Sequence, residues 1–145
     1  MYVTLTARRT VLLAVVLLVL LGAVVVAVRL LTIDPVSKEA SALLGTWRPT
    51  SIAGFSLDDA PAAQATVTFN ADGHWTGSDG CNALGGKFKA SATKISAYDF
   101  GPQTAIGCNN VPNTTVLEQA ALWKATSTTL TLYNKSSAPL ATYTR

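Results

Sequence analysis

Thr66-Val67-Thr68-Phe69-Asn70-Ala71-Asp72-Gly73-His74-Trp75-Thr76 decides the fold class. β-Branched and aromatic residues alternate with small or polar ones on both sides of an Asp-Gly pair. Asp-Gly between two such runs is a strong short-range hairpin signal, because glycine accepts the positive φ that tight turns need. Working outward, Lys87-Phe88-Lys89-Ala90 alternates charged and apolar residues as a half-exposed strand does, and Ile95–Tyr98 follows as its partner. Leu44-Gly45-Thr46-Trp47-Arg48 opens a first strand, and Pro49 predicts that this strand lies at an edge or bends there. Ser56–Ala63 is a loop. Between the hairpin and Lys87, the glycines at 77, 80, 85 and 86 predict turns. Near the C-terminus, Thr128–Tyr133 places Leu130 and Leu132 on one face, and Leu140–Tyr143 makes a last strand after a turn over Asn134–Pro139. One helix is predicted, from a capping box at Thr115 and Glu118 through Val116, Leu117, Ala120, Ala121 and Trp123 or Lys124 to about Ala125. Many short strands with one inserted helix predict a mainly β domain, a small antiparallel barrel or strongly curled sheet.

Ahead of this domain, Val11–Val28 carries no charge. About 18 apolar residues rising ~1.5 Å each give roughly 27 Å, near the ~30 Å hydrocarbon thickness of a bilayer. Arg8 and Arg9 precede the run, while Arg29, Asp34, Lys38 and Glu39 behind it nearly cancel. The positive-inside bias then keeps the N-terminus in the cytoplasm and exports the rest. The expected layout is a cytoplasmic segment 1–10, one transmembrane helix 11–31, a juxtamembrane tether 32–42 and an extracytoplasmic domain 43–145. A cleaved secretory signal is the alternative; it too starts basic and runs apolar, but its apolar core is usually only ~7–15 residues. Both readings export the C-terminal part. Gly22 is the sole glycine of the run, so a small-xxx-small helix pairing is unsupported.

The basic excess of the chain belongs to the membrane end. After Ile33, eight basic residues from Lys38 to Arg145 face eight acidic ones from Asp34 to Glu118. A neutral ectodomain has no electrostatic footprint for DNA or RNA, which excludes nucleic acid as a partner. Cys81 and Cys108 both fall in the exported part, and an even count in an oxidising compartment favours a disulfide over two buried thiols. A structural zinc site is excluded on count, because two cysteines and His74 leave it a ligand short.

Taken in order, several segments resemble the META domain family, the HslJ-like heat-shock proteins. These are Leu43-x-Gly45-Thr46-Trp47, the hairpin Thr68-Phe69-x-x-Asp72-Gly73, the turn Gly77-x-x-Gly80-Cys81-Asn82, Thr104-x-x-x-Cys108 and Leu130-Thr131-Leu132. The resemblance spans about Leu43–Tyr143. It implies a small barrel-like fold, an envelope location and an association with stress tolerance or antibiotic resistance. It implies no cofactor and no enzyme, since no catalytic residues are established for the family. Gly45, Trp47, Gly80, Asn82 and Thr104 are then architectural positions, and Cys81–Cys108 staples the glycine-rich turn to the segment before the helix. The pair between Thr104 and Cys108, often basic plus methionine in the family, is Ala105-Ile106 here, so a role needing positive charge there does not carry over.

Chemistry is sparse. Ser78, His74 and Asp79 or Asp72 form a Ser/His/Asp set on paper, but all sit in one hairpin, whereas a triad needs separate elements to align its hydrogen bonds. A Cys81–His74 thiolate pair is removed by the disulfide. Asp58-Asp59 is too little for calcium, and the glycine-rich turn lacks the lysine of a phosphate loop. Asn113-Thr114-Thr115 and Asn134-Lys135-Ser136 are glycosylation-like triplets. The competing function is a lipocalin-like carrier of an apolar ligand: Gly45-Thr46-Trp47 resembles the Gly-x-Trp opening of those barrels, and Trp75, Phe88, Phe100 and Trp123 would line the pocket. Set against it, these aromatics fill the core of a domain of ~110 residues, which has little volume to spare. The sequence therefore predicts a non-catalytic, membrane-anchored envelope module whose partners are the membrane and an unidentified envelope protein, with no small-molecule ligand.

Overall fold

The hairpin at Asp72-Gly73 forms as its residue pattern requires. In a computed structural model describing residues 13–24, 35–58, 61–102 and 107–145, β2 (Ala65–Phe69) and β3 (His74–Asp79) pair in antiparallel register from Ala65↔Asp79 to Phe69↔Trp75. Asp72 caps the turn by accepting the His74 N–H at 2.9 Å. Ala65, Val67 and Phe69 point inward from β2, and Thr66 and Thr68 do not, the period-2 alternation of a sheet with one buried face.

The chain divides into two units, Met1–Ile33 and Asp34–Arg145. In the first, residues 13–24 are helical and their large apolar side chains are exposed. Among the described residues no helix is long and apolar enough to cross a membrane. The ends of the apolar run, residues 11–12 and 25–28, and the cytoplasmic segment 1–10 lie outside the described residues.

The second unit adds β1 (Gly45–Ile52), β4 (Ala83–Ala90), β5 (Ile95–Tyr98), α1 (Asn113–Gln119), β6 (Leu122–Ala125), β7 (Thr129–Tyr133) and β8 (Pro139–Thr144). The strands form one antiparallel sheet in the order β5-β4-β3-β2-β1-β8-β7-β6. Its two edges then meet. Lys94 bridges Leu122, the Ile95 N–H donates to the Ala121 carbonyl, the Trp123 N–H donates to Thr93, and the Trp123 indole N–H donates to Ser91 at 2.9 Å. This seam nearly closes the sheet into a barrel, which leaves little free edge for unwanted strand pairing. Trp47, Trp75, Tyr143, Phe69 and Phe88 are the largest side chains fully buried inside.

Three expectations are corrected, and of the two readings of Pro49 the irregular strand holds. Pro49 is not on an edge strand, because β1 is central. It sits where β1 stops pairing with β2 at Trp47 and continues along β8 with a register shift between Pro49 and Ser51, so its missing N–H costs no ladder bond to β2. The glycine-rich stretch 77–86 is mostly strand, with the turn confined to Gly80–Asn82. Gly77 faces Val67 across the hairpin so closely that a Cβ would collide with the Thr66 carbonyl oxygen. The helix ends at Gln119. Thr115 lies inside α1, which starts after Pro112, so no capping box forms, and Leu122–Ala125 becomes β6, with Trp123 buried and Lys124 exposed. Finally, much of the predicted tether belongs to the domain. Ala90 extends past the start of β3, and Pro35–Ser37 takes the vacant place: the Ala90 N–H donates to Pro35 and the Ser37 N–H to Ala90, both at 2.9 Å. The 3-10 helix Lys38–Leu43 then buries Ala40 and Leu43 completely.

Candidate functional site

The strands run alternately between two ends of the barrel, and the motif residues gather at both. At the end where the chain joins the barrel, Trp47 is fully buried and its indole N–H donates to the Leu43 carbonyl at 2.7 Å. The Arg145 guanidinium lies over the Trp47 ring, 4.0 Å from its centroid, and donates to the carbonyls of Leu44 (2.9 Å), Ala42 (3.1 Å) and Ser127 (2.9 Å). Planar, always charged and rich in donors, arginine suits this combined stacking and carbonyl capture. Gly45 begins the strand that this clasp fixes.

At the opposite end, β3 turns into β4 through Gly80, Cys81 and Asn82. Aspartate favours such turns because its carboxylate accepts backbone N–H groups two and three residues ahead. Asp79 Oδ1 accepts from the N–H of Cys81 (2.9 Å) and of Asn82 (2.6 Å). Its Oδ2 accepts from the side-chain amides of Asn82 (3.1 Å) and Asn110 (2.7 Å). Burial pushes the Asp79 carboxyl up, but these four donors together outweigh it and hold its pKa below the ordinary carboxylate value. Gly80 has φ +99°, and a Cβ there would meet the Pro61 carbonyl oxygen at 2.7 Å, so both backbone and space favour glycine. The disulfide Cys81–Cys108 ties this turn to the loop before α1. The Val111 N–H, donating to the Asp79 carbonyl at 2.9 Å, fastens the same loop a second time.

Beneath the turn, Asn113 is fully buried at the start of α1. Its amide donates to the Ser78 carbonyl at 2.9 Å, and its Oδ1 accepts from the Tyr143 hydroxyl at 3.2 Å. Burial drives the Tyr143 phenol well above its ordinary pKa, so it stays a neutral donor. One asparagine thus joins the helix to β3 and β8. It is closed to glycosylation, and the triplet beginning there is structural.

Gly80, Cys81, Asn82 and Cys108 therefore share one site, while Gly45 and Trp47 lie at the other end; Thr104 lies outside the described residues. The paper triad is not assembled. His74 and Ser78 sit four residues apart on an extended strand, roughly 13 Å at ~3.3 Å per residue. His74 faces Asp72 at 3.4 Å, and the Ser78 hydroxyl accepts from the Gly80 N–H. Asp58 is in the loop before the second strand, and Asp59 lies outside the described residues. Among the described residues no three His, Cys, Asp or Glu side chains converge as metal ligands. The aromatics expected to line a carrier pocket pack as core instead: Phe88 meets Phe69 edge-on at 4.9 Å, Trp75 meets Phe100 at 5.7 Å, and Trp123 closes the seam. Trp123 also borders an open hollow of about 360 Å³ on the flank, with Leu122, Lys124 and Tyr133.

Sequence reasoning missed Asn110, Asn113, Tyr143 and Arg145. A signal existed only for Asn113, which follows Pro112 at a helix start; its partners Ser78 and Tyr143 are too distant in sequence to be inferred.

No curated protein matches the chain. Among solved structures, a DUF4847 family protein from Bacteroides vulgatus ATCC 8482 superposes with a TM-score of 0.59 at 18% identity, covering 74% of this chain and 96% of that one. At that identity the likeness concerns the fold. The META domain profile matches residues 41–145, from the 3-10 helix under Trp47 to the clasping Arg145, and the chain belongs to the META domain family.

Proposed function

We propose that this protein is a non-catalytic envelope module: a META domain held outside the cytoplasmic membrane by its N-terminal apolar helix, acting in stress tolerance through contact with another envelope protein. The carrying observation is that the polar groups of the motif turn are engaged with one another. The Asp79 carboxylate is occupied by four donors, the sulfurs of Cys81 and Cys108 are bonded, and the Ser78 hydroxyl holds Gly80. Such a site stabilises a surface and leaves no activated nucleophile or base. A disulfide suits an oxidising compartment. The exposed apolar side chains of residues 13–24, part of the longer run Val11–Val28, suit lipid. The packed aromatic interior favours this reading over a ligand carrier.

Intact cells treated with a membrane-impermeant maleimide test the address and the bond together. The protein is expected in the membrane fraction, unlabelled without reductant and doubly labelled after it. Recovery in the cytosol, or labelling only after lysis without reductant, would overturn the reading. In-cell cross-linking of the same chain then reads the partner; a chain that cross-links to nothing under envelope stress contradicts the interaction role.

A further inference from the structure

We propose that the barrel end at which the chain joins the domain is a docking surface for an anionic bilayer, so that the domain stands with its disulfide-bonded end away from the lipid. This orientation rests on the anchored reading above. Strand directions fix the two ends. Near the joining end lie the 3-10 helix Lys38–Leu43, the turns 70–73, 91–94 and 126–128, and Arg145. At the far end lie the loop residues 53–58 and 61–64, the turn 80–82, the segment carrying α1 and the turn 134–138.

The neutral domain is polarised between these ends. The joining end carries Lys38, Lys94 and Arg145, with Lys89 and Lys124 each one residue from the end of its strand. Glu39 and Asp72 oppose them there, and Asp34, one residue before Pro35 in the sequence, adds a third negative charge, which still leaves an excess of positive charge. Lys38, Lys89, Lys94 and Lys124 are all exposed. The far end carries Asp58, Asp79, Asp99 and Glu118 against Lys135. Between the two, Lys87 reaches Asp99 at 2.6 Å, and Arg48 donates to the Ala63 carbonyl of the far-end loop.

Chain length limits how far the basic end can stand from the lipid. Six residues, 29–34, separate the end of the apolar run from Pro35, and fully extended they reach only about 20 Å. A positive surface held that close to acidic headgroups is complementary in charge, and each basic residue near such a surface is worth about a fivefold gain in partitioning. The attraction fades within a Debye length, ~10 Å at ~0.1 M salt.

The test uses the full chain with vesicles of phosphatidylcholine alone or with roughly one-third phosphatidylglycerol. Flotation with pure phosphatidylcholine, unchanged by salt, reads the anchor by itself. Backbone hydrogen exchange at the 91–94 and 126–128 turns reads the docking, with turns 80–82 and 134–138 as internal references. Exchange at the first pair is expected to slow several-fold in the anionic vesicles at low salt and to recover at high salt. It should also recover in the triple variant Lys38→Gln, Lys94→Gln, Lys124→Gln, whose thermal midpoint in detergent verifies its fold. Equal exchange in both vesicles, slowing at the far-end turns, or indifference to the three lysines would overturn docking while leaving the anchor standing. Salt-sensitive flotation with the anionic vesicles alone would keep docking and remove the anchor; flotation with neither removes both.

Discussion

The two ends of the barrel are closed by different devices. Where the chain joins, one exposed arginine gathers three backbone carbonyls and covers a buried tryptophan. At the other end, a buried carboxylate, a buried asparagine and a disulfide hold irregular loops against the strands. The difference follows from access to water. Carbonyls around Arg145 are hydrated if the arginine leaves. The groups facing Asp79 and Asn113 have no such substitute, and a buried polar group left unpaired costs about 1–3 kcal/mol. Losses at the disulfide end should therefore exceed losses at the joining end, and substitutions can break that ordering.

The largest effect is expected from removing the disulfide. Cys81 and Cys108 are 27 residues apart, and the chain-entropy estimate for a loop of that size is about 3–4 kcal/mol. The double variant Cys81→Ala, Cys108→Ala should lose about that much in denaturant titration, and reduction of the native chain should match it. An unchanged midpoint would mean that Asn110 and Val111, bonded to Asp79, already hold the loop without the sulfurs.

Next comes Asp79→Asn. The variant turns one acceptor oxygen into a donor facing the Asn82 or Asn110 amide, which should cost about 2–3 kcal/mol at neutral pH. It also changes the response to acid. Because Asp79 has its pKa lowered in the fold, its stabilisation is present above the unfolded-state value of ~3.9 and is lost as pH falls through the lower folded-state value. The native protein should therefore lose stability steeply on acidification through that window, and the variant should show a flatter acid limb. Identical acid limbs would show that other carboxylates control acid unfolding.

The same contrast explains what could be read in the sequence. The hairpin at Asp72-Gly73, β7 with Leu130 and Leu132, β8 and the cysteine pair were legible because each is a local or compositional pattern. β6 was not: in Leu122–Ala125 a buried tryptophan beside an exposed lysine fits a helical face as well as a four-residue strand. Its strand state comes from distant partners, Thr93 and Tyr133. Pro35–Ser37 read as tether because its worth lies in pairing with Ala90, far along the chain. The turn at Gly80-Cys81-Asn82 was legible as architecture, whereas Asp79 was read only as a member of a Ser/His/Asp set. The four-donor arrangement about Asp79 needs Asn110 folded back by the disulfide, which no local pattern encodes.

The smallest effect belongs to Arg145. Arg145→Ala removes three charge-assisted bonds to carbonyls and a cation–π contact, yet water can reach every group left behind. The stacking over Trp47 should account for ~1 kcal/mol and the exposed bonds for little more, giving a loss of about 1–2 kcal/mol. Arg145→Lys sharpens the reading. A lysine keeps the charge but loses the planar fork, so it should recover less than half of the loss if stacking and carbonyl geometry dominate. Full recovery by lysine would assign the clasp to charge alone. Raising salt should leave the native clasp nearly unchanged, because its partners are a ring and neutral carbonyls rather than carboxylates. A loss on Arg145→Ala as large as that on Asp79→Asn would defeat the ordering itself: hydration at the joining end would then not replace what the arginine supplies, and access to water would not be what separates the two ends.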